Sequence, residues 1–141
     1  MKNSYASVIE NLKEVCELRP QVMSVDDGRE LEFDIDKDVL FPRVFIKTVN
    51  SEYNGRWEYE FELLCLERIN NDLSNLIDAM SLTKSILEDI ISELNYQNIL
   101  DPIGVICEPI YAFQDAQSSG WRVPITLFTD KGLECHNEIG D

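Results

Sequence analysis

Between Trp57 and Cys65 the chain alternates strictly. Trp57, Tyr59, Phe61, Leu63 and Cys65 fall on one side, and Glu58, Glu60 and Glu62 on the other. Period two means a strand with one buried face and one acid-coated face. After Asn70, Asn71 and Asp72 the period changes. Leu73, Leu76, Ile77, Met80, Leu87, Ile90, Ile91 and Leu94 recur at three and four, the pattern of a long amphipathic helix. Asn71 or Asp72 is the expected N-cap. The helix is expected to fade near Asn95, with Asn98 and Asp101-Pro102 ending it. A strand and a helix that each carry one apolar face bury those faces against each other, so Trp57–Leu94 is the expected core.

The flanking stretches read as additions to it. From about Asn3 to Leu18, Tyr5, Val8, Ile9, Leu12, Val15 and Cys16 make one helical stripe, with Asn3 or Ser4 as N-cap and Pro20 as the stop. Asp26-Asp27-Gly28 reads as a turn. Leu31, Phe33 and Ile35 alternate with Glu30, Glu32, Asp34 and Asp36, a candidate short strand with an acidic outer face. Val39–Val49 is the next strand, and Asn50–Arg56, with Asn54-Gly55, is the turn into Trp57. Ile103–Ala112 and Gly120–Thr129 form a second hairpin, whose Pro109 and Pro124 point to an edge or a bulge.

The expected fold is therefore α+β, a single domain over residues 1–141 with a polar tail from about residue 130. An antiparallel sheet of two β-hairpins is packed by an N-terminal helix and a long central helix, in the order α-β-β-α-β-β, with the short extra strand as an addition.

Charge and composition then narrow the function. The 141 residues carry 27 acids against 12 Lys and Arg, a net charge of -15, and 44% of them are hydrophobic. Disorder is excluded for most of the chain. A field of this sign repels phosphate, which argues against specific DNA or RNA binding but not against a surface that DNA slides past. No signal-peptide core or membrane-spanning run occurs, which places the expected site of synthesis in a reducing cytoplasm. Cys16, Cys65, Cys107 and Cys135 contain no CxxC pair. Buried free thiols are expected, and no metal site. The calcium-loop spacing is also missing from the acid run after Asp26.

Catalytic motifs are absent. The one histidine, His136, lies in the polar tail and reads as a solvated side chain. Phosphate-binding, dinucleotide, zinc-hydrolase and nucleophile-elbow motifs do not occur, so neither enzyme activity nor a cofactor is expected. The Glu stripe reads as a solvated or partner-facing surface. Trp57 beside Arg56, and Trp121 beside Arg122, read either as core anchors near a sheet end or as interface anchors.

Four segments carry a family resemblance: Pro20–Asp36 (PQVMSVDDGRELEFDID), Phe41–Val49 (FPRVFIKTV), Tyr59–Asn75 (YEFELLCLERINNDLSN) and Phe113–Phe128 (FQDAQSSGWRVPITLF), the last followed shortly by Cys135. In this order they resemble the ring-forming, tail-terminator-type neck proteins of tailed bacteriophages, most closely those of crAss-like phages. The resemblance implies a virion structural protein, assembled in the host cytoplasm. It implies a homo-oligomeric ring between portal and tail that contacts portal or adaptor and tail proteins. DNA passes through its lumen without specific binding, and no membrane is involved. On that reading Trp57, Trp121 and Arg122 are expected interface residues. Glu58, Glu60 and Glu62, or the Glu30–Asp34 stripe, are the expected lumen or partner face. The competing expectation is an acidic adaptor that binds a basic cellular partner without forming a ring.

Overall fold

β3 (Trp57–Arg68) is the middle strand of a five-stranded sheet. In the computed structural model, which describes residues 5–28, 40–101, 104–111 and 118–129, the other elements are α1 (Tyr5–Cys16), β1 (Ser24–Gly28), β2 (Arg43–Tyr53), α2 (Leu76–Tyr96), β4 (Glu108–Ile110) and β5 (Ser118–Phe128). The strand order is β1-β2-β3-β5-β4. Both helices lie on one face. There Val44 and Ile46, Phe61, Leu63 and Cys65, and Val123, Ile125 and Leu127 meet Leu12, Val15 and Cys16 of α1 and Ile86, Leu87, Ile90 and Leu94 of α2. The α+β class and the sheet-helix core are as the periodicity predicts.

The sheet is mixed, which corrects the expected pair of antiparallel hairpins. Asp26-Asp27-Gly28 is not a turn but part of β1, which runs parallel to β2. Local composition is overridden by what each acid meets across the sheet. Asp27 points to the helix side and pairs with Lys13 of α1, while Asp26 points to the other side and pairs with Arg43. Val25, on the same side as Asp27, packs on the core. The candidate strand at Leu31–Ile35, the N-cap at Asn3 or Ser4, the tail with His136 and Cys135, and most of the 113–119 loop lie outside the described residues.

The first hairpin forms, with its first strand shifted toward the turn, its second strand longer and its turn shorter than expected. β2 continues to Tyr53, which pairs with Trp57 around a tight turn in which Gly55 takes φ 84. A register shift at Thr48/Asn50 makes Val49 an extra residue and turns Asn50 to the face away from the helices. The second hairpin does not form as expected. β5 pairs along its whole length with β3, and only Glu108–Ile110 of the expected Ile103–Ala112 strand pairs with it. Gly104, at φ 78, breaks the extended run before it.

The two prolines obey the donor rule. In β5, Thr126 and Phe128 turn their backbone groups outward to Asp101 and Ile99, and Arg122 pairs outward with β4. Pro124 has the same parity and falls between these partners, so its missing N–H interrupts no ladder bond. Pro109 lies on β4, the last strand of the sheet, opposite Trp121.

α2 starts later than expected. Its N-cap position is Asn75, without a side-chain capping bond. The Asn75 amide instead ties the β3–α2 connection, accepting from Asn70 N at 2.7 Å and donating to the Arg68 carbonyl at 3.1 Å. Asp72 accepts from Ser74 N, and hydrogen bonds from Ser74 hold its carboxyl below the usual range. Leu73 at φ 60 precedes the helix. Leu73 and Ile77 of the expected stripe are consequently exposed, and Ala79, Thr83 and Ile86 take buried places. The helix ends at Tyr96, with Asn98 at φ 61.

Candidate functional site

Strand parity divides the side chains between two faces. Glu58, Glu60 and Glu62 project from β3 on the face opposite the helices, each about 6.8 Å from the next. Their cross-strand neighbours differ. Glu58 lies between Glu52 and Phe128, Glu60 between Asn50 and Thr126, and Glu62 between Lys47 and Pro124. Glu60 accepts a hydrogen bond from Asn50 Nδ2 at 3.0 Å. Arg56 stacks on the Phe128 ring, 3.5 Å from its centroid. The acid stripe is confined to the hairpin half of this face. In the other half Phe45, Leu64 and Leu66 form a second buried cluster with Phe41 and Ile110. Arg43, also on this side, is only 3% exposed.

The three expected interface residues do not form one patch. Arg122 projects on the Glu face and meets Glu108, Nε to Oε1 at 3.3 Å. Trp121 projects on the helix face, where its indole Nε1 donates to the Met80 carbonyl at 2.9 Å. Trp57 is at the hairpin end, 48% exposed, with its ring edge-on to Tyr53 at 5.3 Å. The indole of Trp121 is thus a half-buried anchor between sheet and helix, and that of Trp57 is a surface ring.

A cavity of about 510 Å³ opens between α2 and the end of β5, lined by Leu76, Ile77, Met80, Lys84, Tyr111 and Trp121 among others. Lys84 Nζ stands 5.7 Å from the Trp121 ring centroid and pairs with Glu88 at 2.9 Å. Sequence reasoning placed Leu76, Ile77 and Met80 in the core stripe and missed this groove. The available signal was the crowding of Leu73, Leu76, Ile77 and Met80, more apolar surface than one helical face can bury.

At the cysteines burial outweighs the nearby cations, Arg19 at Cys65 and Lys84 at Cys107. Burial pushes Cys16 up to about 12 and raises Cys65 as well, and it raises the half-buried Cys107. Among the described residues no three His, Cys, Asp or Glu are placed to hold a metal ion. No described helix is long and apolar enough to cross a membrane. No protein-family model matches the chain, and no curated protein matches it.

Proposed function

We propose that this chain is a structural subunit of a phage virion, forming a ring in the neck between portal and tail, with Glu58, Glu60 and Glu62 facing the DNA channel. The observation that carries the reading is the placement of these three glutamates on the sheet face away from both helices, with Glu52 beside Glu58. Carboxylates held on a strand form a stiff negative wall. Such a wall repels passing phosphates within the Debye length, about 10 Å at 0.1 M salt, and offers them no specific contact. The ordered resemblance of four segments to neck proteins supports the same reading. A ring also needs different surfaces of one subunit to meet on its neighbours, and the acidic face and the apolar groove are chemically distinct surfaces on opposite sides of the sheet. The subunit binds and lines; no catalytic step is assigned to it.

The test is assembly. The purified chain, alone and mixed with portal and tail proteins from the same genome, is examined by light scattering and negative-stain microscopy. A ring, alone or on the portal complex, is the expected outcome. Glu58→Lys/Glu60→Lys/Glu62→Lys is expected to leave the ring intact and to make it retain DNA in a salt-dependent way. A chain that never joins the portal complex and instead binds a basic host protein through these glutamates is the adaptor of the competing reading, and this result would sink the ring.

A further inference from the structure

Asp27-Gly28 and Asn54-Gly55 each place a glycine directly after a residue with a side-chain carbonyl carbon. The glycine nitrogen can attack that carbon and close a five-membered ring. Lacking a Cβ, glycine leaves the approach open and lets the backbone turn into it. The fold treats the two places differently. Asp27 lies in β1, paired with β2, and its carboxylate is held at 2.5 Å by Lys13 of α1. An ionised, paired carboxylate is a poor electrophile, and the strand pairing fixes the backbone around it.

Asn54-Gly55 forms the tip of the β2–β3 hairpin, and both residues are exposed. Tyr53 pairs with Trp57, and the Asn54 N–H donates to the Arg56 carbonyl at 2.9 Å. Among the described residues nothing accepts a hydrogen bond from the Gly55 N–H. A Cβ at Gly55 would meet nothing within 4 Å, so no other part of the fold shields the peptide. The side chains of Asn11, Asn50, Asn70 and Asn75 are each committed to a hydrogen bond. No asparagine other than Asn54 precedes a glycine.

We infer that Asn54 is a site of spontaneous deamidation, through a succinimide formed with Gly55. The Gly55 nitrogen bonds to Asn54 Cγ and the Cγ–Nδ2 bond breaks. Nδ2 leaves as ammonia, taking the proton of the Gly55 N–H. Water then opens the ring. Opening between Cγ and the nitrogen gives aspartate. Opening between the backbone carbonyl carbon of residue 54 and the nitrogen gives isoaspartate, whose chain runs through Cβ and Cγ and is one atom longer. Either product adds a negative charge to a chain already at -15, on the hairpin tip where Glu52 and Glu58 face each other. Asparagine is a thermolabile residue in general; here the turn concentrates that lability at one position. The chemistry needs only the exposed tip, so it proceeds whether or not the chain forms a ring.

The full chain is incubated folded, at weakly acidic and at mildly alkaline pH, then digested in acid and mapped by mass spectrometry. Enzymatic methylation distinguishes isoaspartate from aspartate, and isoelectric focusing follows the intact protein. Asn54 is expected to be the first asparagine to convert, with both products present. Conversion should be faster at alkaline pH, because the attacking nitrogen must give up its proton. Focusing should show a species more acidic by one charge. Asn54→Gln, whose attack would need a six-membered ring, is expected to lose that species while melting at the wild-type temperature. An Asn54 that stays intact overturns the inference, as does another asparagine that converts first. An acidic species that persists in Asn54→Gln overturns it too, as does isoaspartate at residue 27 in equal amount.

Discussion

The indole Nε1 of Trp121 donates to the backbone carbonyl of Met80 at 2.9 Å, pinning β5 to the first half of α2. This one bond joins a strand and a helix 41 residues apart in the chain and sets the floor of the groove. Trp121→Phe is expected to lose about 1 kcal/mol for the hydrogen bond. The Met80 carbonyl keeps Thr83 Oγ1 at 3.2 Å as a partner, so it is not orphaned. Trp121→Ala is expected to lose about 3–5 kcal/mol. Urea unfolding monitored by far-ultraviolet dichroism separates the two; a Trp121→Phe variant as stable as the wild type would show that the indole N–H contributes nothing.

Gly120 lies where β5 comes closest to β3. A Cβ there would stand 1.8 Å from the Cys65 carbonyl oxygen, and neither backbone can move without opening the central pairing of the sheet. Gly120→Ala is expected to cost about 3 kcal/mol or more. The urea midpoint should fall while the slope stays constant; an unchanged midpoint would contradict the close approach.

Leu73 holds φ 60 with an exposed side chain. That conformation costs an ordinary side chain about 1–2 kcal/mol, less for Asn, which tolerates it through local hydrogen bonding. Leu73→Asn is expected to raise stability by about half to one kcal/mol, read as a higher melting temperature.

Glu52 and Glu58 face each other at the hairpin tip of a chain with net charge -15. Glu58→Gln removes one of the two charges, and with it their mutual repulsion, and is expected to stabilise by up to about 1 kcal/mol. The gain should shrink as salt is added, because screening weakens the same repulsion in the wild type. A gain independent of salt would point to packing against Phe128 instead.

The buried thiols weaken the fold at alkaline pH. Burial raises the folded value of Cys16 from 9.0 to about 12, and Cys65 is raised too. The unfolded chain therefore releases these protons first. Their contribution to stability is fully present below about pH 9 and is lost as pH rises toward 12, by about 1.4 kcal/mol per pH unit for each thiol. Cys16→Ala should reduce that slope by one thiol's share, whatever its packing cost at neutral pH. Of the described cysteines, Cys107 should react first with a thiol reagent in the folded protein, since it alone is half-buried.

The periodicity by itself determined the α1 stripe, the β3 alternation and the long α2, because period two and period 3.6 are properties of the chain alone. Parity then settled that Glu58, Glu60 and Glu62 share one face and that Arg122 opposes Trp121. Only the tertiary structure decided the rest. Asp26 and Asp27 look like turn residues until Arg43 and Lys13 arrive from other elements to pair with them. β5 lies beside β3 and not in a hairpin of its own, because its Val123, Ile125 and Leu127 complete a core that Phe61 and Leu63 begin. Ile77 belongs to the helical stripe in sequence yet stands in solvent, since the start of α2 at Leu76 and the reach of β5 fix how far the sheet extends beneath the helix. Periodicity says which residues share a face; what that face meets depends on contacts between segments distant in the chain, and no local pattern carries that information.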